Sequence, residues 1–190
     1  MKNSTLGTDP FWEILKAKFR PNQTRHVLRG TIQDRLKAKV SILVNITREA
    51  SASREVRELA LFIVQNAGRD HAQEAKMIYD WVKKNIAYRN DPYFMDTFDY
   101  PMETVRLRAG DCDDMSILIA SLALAIGIPA RYIIVSDDPS TEPSHVYAEL
   151  YIEQAWVPLD PVMDKGFGWN NYSPYVTKRW VIPILKDGEL

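Results

Sequence analysis

Apolar residues recur at helical spacing through the first half of the chain and gather into short dense runs in the second. Ile32, Leu36, Val40, Leu43 and Val44 fall three or four residues apart, which predicts a helix over 31–48. Its β-branched tail, Ile42 to Thr47, is equally compatible with a strand. Ser51 or Ser53 can cap a second helix that buries Val56, Leu59, Ala60 and Ile63 and stops at Gly68. A third helix, His71 to Ile86, points Ala75, Ile78, Trp81, Val82 and Ile86 inward. Ahead of these, Asp9-Pro10 can cap a short helix from Phe11 to Arg20 that Pro21 ends.

Residues 87–104 hold Tyr88, Tyr93, Phe94, Phe98 and Tyr100 with two prolines and read as a long aromatic loop, a class of segment that tends to be functional. Then Gly110-Asp111 precedes a helix from Cys112 to Ile126, closed by Gly127 and Pro129. Its apolar residues lie on nearly every side, so it should be a buried central helix. Three strand-like runs follow: Ala130 to Val135, His145 to Ile152 and Ala155 to Val162. Helices first and strands afterwards predict an α+β fold with an antiparallel sheet. The expected organisation is an N-terminal helical extension over 1–69, a core over 70–165, and an aromatic, proline-bearing tail over 166–190 that packs on the core at the sheet edge.

Composition changes this picture little but excludes several classes. At 190 residues, 46% hydrophobic and 26% charged, the chain is an ordinary globular one, and disorder is excluded for most of it. Lys and Arg number 24 against 25 Asp and Glu, so whole-chain charge argues neither for nucleic acid nor for an anionic membrane. The basic stretch Arg20 to Lys39 reads as a solvated face or as a patch for an acidic partner. The longest uncharged apolar stretch, Met115 to Ala130, has 16 residues; a membrane span needs about 20. Met1 to Pro10 lacks an apolar signal core, so a cytoplasmic protein is expected. A single cysteine excludes an intrachain disulfide and a cysteine-only metal site.

That cysteine, Cys112, begins the central helix, where free N–H groups and the helix dipole favour a thiolate. Asp111, Asp113 and Asp114 oppose one, so a cationic partner is needed if Cys112 is reactive; without it, an inert buried thiol is the plainer reading. His145 opens a strand, and the next strand leads to Asp160. A two-residue turn at Glu153-Gln154 would pair Ile152 with Ala155 and hence Tyr147 with Asp160, setting Asp160 diagonally beside His145. A three-residue turn would put them on opposite faces. Nucleophilic thiol catalysis needs a thiol, an imidazole that takes and returns its proton, and a carboxylate that orients the imidazole. His145 would also supply the missing positive charge to Cys112.

Arg108-Ala109-Gly110-Asp111-Cys112-Asp113-Asp114, then Ile128-Pro129-Ala130-Arg131, His145-Val146-Tyr147-Ala148-Glu149 and Trp156-Val157-Pro158-Leu159-Asp160-Pro161 together resemble the transglutaminase-like (transglutaminase core) superfamily. The upstream Trp81-Val82 to Ile86-Ala87-Tyr88 is similar to the family's helix before the catalytic helix. The resemblance covers about residues 70–165 and implies a papain-like arrangement, with the Cys helix packed on an antiparallel sheet. It implies Cys112 as nucleophile, His145 as general base and acid, and Asp160 as the orienting residue. The Cys112 backbone N–H would serve the oxyanion hole; Tyr88 is a candidate second donor, against a plainer reading as core packing. The residues before 70 match no family motif.

Three readings follow. The first is a cysteine-dependent hydrolase, a peptidase or amidase, or an acyl transferase, acting on a protein or peptide substrate without a cofactor. The second is a structural or interaction protein that keeps the fold, for instance a phage virion component, docking through its N-terminal extension or C-terminal tail. The third is a metal site of Cys112, His145 and Asp160 with water, which no C-x-x-C or H-x-x-x-H pairing supports. The loop 87–104 is a candidate lid over Cys112, and Ser136 to Ser144 a candidate wall of a cleft.

Overall fold

A computed structural model of the chain describes residues 23–26, 28–91, 96–138, 143–169 and 176–184. The expected helix over Phe11 to Arg20 lies outside them. Among the described residues there are five helices: α1 (Ile32–Ser51), α2 (Arg54–Ile63), α3 (His71–Asn85), α4 (Pro101–Leu107) and α5 (Cys112–Ala125). The strands are β1 (Gln23–His26), β2 (Ala87–Tyr88), β3 (Asp96–Asp99), β4 (Ala109–Gly110), β5 (Ala130–Ser136), β6 (His145–Ile152), β7 (Ala155–Leu159) and β8 (Lys178–Pro183).

The first helices begin at capping side chains. Thr31 and Asp34 form a reciprocal capping box at α1, Ser53 accepts from the Val56 N–H at α2, and Asp70 accepts from Ala72 and Gln73 at α3. The segment Ile42 to Thr47 is helical, since Leu43, Ile46 and Thr47 continue the buried stripe that Leu36 starts. In α5 nearly every side chain is buried, from Asp113 to Ala125 apart from Leu124. It is the axis of the fold: α1, α2, α3 and α4 pack around it, and β6 and β5 cover its remaining side. The helices of the expected N-terminal extension therefore share one hydrophobic core with α5 and the sheet.

The main sheet is antiparallel with strand order β7-β6-β5-β8. Val146, Ala148, Leu150 and Ile152 alternate toward the core, as do Tyr132 and Ile134 of β5. On alternate positions, buried Glu149 ties three strands together: it accepts from Arg131 Nε at 2.7 Å and from Arg179 at 2.9 Å. The tail supplies β8 at the β5 edge, a strand that the proline and aromatic content of 166–190 conceals. No helix among the described residues is long and apolar enough to cross a membrane.

The aromatic loop over 87–104 is a correction. Most of its described residues lie in β2, β3 and the start of α4. β2 pairs in parallel with β4, and β3 pairs with β1. Pro101 does not prolong a loop but opens α4, at a position where a missing N–H is harmless. Phe98 is fully buried, its ring edge-on to His26.

Candidate active site

Cys112 is placed by the start of α5. The Asp111 carboxylate accepts from the Asp113 and Asp114 N–H groups at 2.9 and 3.1 Å, while Asp114 accepts from the Asp111 N–H and, through its other oxygen, from the Asp99 N–H of β3 at 2.8 Å. These acids thus start the helix and anchor it to β3. Just ahead, Gly110 admits no side chain: a Cβ there would stand 2.6 Å from the Asp114 Cβ.

The turn between β6 and β7 has two residues, Glu153 and Gln154, both at positive φ, and Ile152 pairs with Ala155. The ladder runs back to Ala148 opposite Leu159, so the next step brings Asp160 level with Tyr147 and diagonal to His145. The His145 Nε2 lies 2.6 Å from Asp160 Oδ2. Asp160 is buried, and its Oδ1 accepts from the Val162 N–H at 3.1 Å. The loop beyond it is tied to α3, where Tyr79 Oη donates to the Lys165 carbonyl and Lys83 Nζ to the Met163 carbonyl, at 2.6 and 2.7 Å. The His145 ring also stacks on Tyr147, centroids 6.2 Å apart.

Cys112 and His145 line one small cleft, with Lys39, Asp113, Ile134, Pro143, Ser144 and Val146. Of the candidate wall Ser136 to Ser144, residues 139–142 lie outside the described residues; Pro143 and Ser144 do line the cleft. Cys112 is partly exposed. Burial nevertheless pushes its thiol well above the ordinary value, and Asp113 and Asp111 push in the same direction. Lys39 and a hydrogen bond from the Val146 backbone oppose them and do not prevail. The opposition expected from the flanking acids is thus joined by a larger one, the loss of hydration at the buried sulfur.

Two further sequence expectations change. Lys39 is not on a solvated face: its Nζ lies 2.7 Å from Oδ2 of Asp113, a carboxylate almost without exposure. The signal was present in the helical period, because Lys39 occupies the turn between Leu36 and Leu43 on the stripe that meets α5. Tyr88 is not core packing but 51% exposed. Its phenol is pushed up by burial first and then by the charges of Cys112 and Asp111. Among the described residues no three His, Cys, Asp or Glu side chains converge as metal ligands. Asp160 Oδ2 sits instead against Nε2 of His145.

Comparison with known proteins adds a family. Residues 57–161 match the model of the transglutaminase-like superfamily. No curated protein sequence matches the chain. Among solved structures, a candidate cysteine protease of Cytophaga hutchinsonii is 20% identical over 67% of this chain and 49% of its own, with a TM-score of 0.47. A candidate protease of Parabacteroides distasonis is 15% identical over 64% of this chain and 26% of its own, with a TM-score of 0.47. LapG of Legionella pneumophila is 16% identical over 72% of this chain and 78% of its own, with a TM-score of 0.48. The chain thus spans about half the length of the first of these proteins and a quarter of the second.

Proposed function

Since the chain belongs to the transglutaminase-like superfamily, we propose that it is a cysteine-dependent hydrolase that cleaves amide bonds of a protein or peptide through an acyl-thioenzyme. The observation that carries this reading is the 2.6 Å contact of His145 with Asp160 at the edge of the cleft that Cys112 lines. Asp160 accepts a hydrogen bond from the Nε2–H of His145, which leaves Nδ1 as the base. With the thiol held above its ordinary value, the proton leaves for His145 as sulfur attacks the carbonyl carbon rather than beforehand. The carbonyl π electrons move to oxygen, and the Cys112 N–H at the start of α5 and the Tyr88 hydroxyl are the candidate donors to that oxyanion. Collapse returns the proton from His145 to the leaving amine. Water, or a second amine in a transferase, then attacks the thioester with His145 as base; the C–S bond breaks, His145 returns the proton to sulfur, and the acid or new amide leaves.

The test is incubation with a mixture of peptides and denatured proteins, read by mass spectrometry for new termini and for an acyl adduct on Cys112. Cleavage that disappears in Cys112→Ala and His145→Ala supports the reading. One observation favours the second reading, an interaction protein that keeps the fold: the raised thiol is what an inert buried cysteine would show. Equal behaviour of wild type and Cys112→Ala in every substrate class would decide for it.

A further inference from the structure

The stripe of α1 that packs on α5 is apolar at Leu36, Leu43 and Ile46, yet carries a lysine at position 39. A charge on such a stripe is unfavourable unless it is paired. Lys39 is paired: Nζ lies 2.7 Å from Asp113 Oδ2 and 3.9 Å from Asp96 Oδ1, and stands 5.9 Å from the Phe98 ring centroid. The other Asp113 oxygen, Oδ1, has no hydrogen-bond partner among the described residues. Asp113 is thus a buried carboxylate whose charge is balanced chiefly from another helix. The same lysine lines the cleft beside Cys112 and His145.

Replacing this ion pair by apolar side chains would be neutral or stabilising for a fold that needed only a helix contact. Its position beside the single thiol gives it another role. The charged and titratable groups around Cys112 are Asp111 at the cap of α5 and Asp113 in its first turn, Lys39 from α1, and His145 with the Val146 N–H from β6; the charge of Cys112 is also felt at Tyr88 of β2, and Asp96 and Asp91 add negative charge at Asp113. The two nearest carboxylates oppose a sulfur anion, and Lys39 is the side-chain cation that favours it.

We propose that Lys39, which lies upstream of the segment matching the family, is a positioning residue for Cys112: its ammonium holds the Asp113 carboxylate and offsets the negative charge around the sulfur as it becomes anionic during attack. This rests on the hydrolase reading for its purpose, not for its measurement. Burial pulls Lys39 toward neutrality, but Asp113 and then Cys112 outweigh it, so the lysine stays charged beyond its ordinary range. The device makes α1 part of the reaction centre rather than an appendage to it.

The test is the rate of Cys112 alkylation by iodoacetamide against pH, read by intact mass on the full chain, which has one thiol. Removing Lys39 alone is ambiguous, because the unpaired Asp113 would take up a proton. Asp113→Asn avoids this and leaves Lys39 facing the more distant Asp96 carboxylate: its profile should move to lower pH, with labelling at pH 7 about tenfold faster for a one-unit shift. In Asp113→Asn/Lys39→Met that gain should vanish, and in Asp113→Asn/Lys39→Arg it should persist. A merely structural lysine would leave the profiles of Asp113→Asn and Asp113→Asn/Lys39→Met the same, and that result overturns the proposal. Near-UV circular dichroism checks the fold, and Asp113→Asn/Lys39→Gln gives the same comparison if the methionine variant does not fold. Labelling that follows Lys39 while no substrate is ever cleaved would sink the hydrolase and spare this proposal; cleavage with labelling indifferent to Lys39 would do the reverse.

Discussion

Ile152 pairs with Ala155 across the β6–β7 turn, and that pairing decides that Asp160 meets His145. Strand side chains alternate with a period of two, so one residue more in the turn would carry Asp160 to the opposite face. Inserting a glycine between Glu153 and Gln154 should therefore abolish hydrolysis. Retained turnover would show that His145 works without Asp160.

The same turn is stabilisable. Glu153 and Gln154 both sit at positive φ, at 49° and 66°, where Asn and Gly are the favoured residues. Glu153→Asn/Gln154→Gly should raise stability by about 1 kcal/mol. Urea denaturation reads the change, and its midpoint should rise with unaltered slope.

Asp160→Asn keeps the shape of the side chain and loses its charge. The amide can still accept from the Val162 N–H, so the fold should hold. It no longer stabilises an imidazolium, nor reliably holds the His145 Nε2–H tautomer, and kcat should fall by about a hundredfold to ten-thousandfold. Steady-state kinetics should place this loss in kcat and leave KM within a few-fold.

Asp111 offers a pH test with a definite sign. Burial, then Asp113 and Asp114, push its carboxyl far above the ordinary value. The folded state consequently holds this proton more tightly than the unfolded chain does, and the group's contribution to stability falls as pH rises above the ordinary carboxylate value of 3.8. Asp111→Asn retains a capping side chain and removes the charge. Its gain in Tm over wild type should be larger at pH 8 than at pH 5, and its alkylation profile at Cys112 should move to lower pH, because Asp111 is one of the groups that raise the thiol. Equal differences at both pH values would contradict the assignment.

Gly110 is required by space. The Cβ of an alanine would stand 2.6 Å from Asp114 Cβ and 2.9 Å from Asp114 Oδ2, where the carboxylate holds the Asp111 and Asp99 N–H groups. Gly110→Ala should destabilise by about 2–3 kcal/mol. It should also disturb the start of α5, which thermal unfolding and Cys112 labelling would register together.

Short-range pattern along the chain is enough for the local elements. The capped helices, the all-round apolar α5 and the three consecutive strands follow from periods of 3.6 and 2 and from capping chemistry acting over a few residues, whereas the β6–β7 turn is open in the sequence between two lengths and the folded register chooses the one that brings Asp160 to His145. Features that join segments far apart in the chain are visible only in the folded protein. β3 is a strand because β1 lies beside it, β2 because β4 does, and β8 because β5 offers a free edge. Lys39 looks like one more charge in a basic run until α1 packs on α5 and sets it against Asp113. The state of Cys112 is only partly legible in the sequence: its flanking carboxylates stand beside it there, whereas burial, the largest influence on the thiol, and the approach of Lys39 exist only once the core has closed.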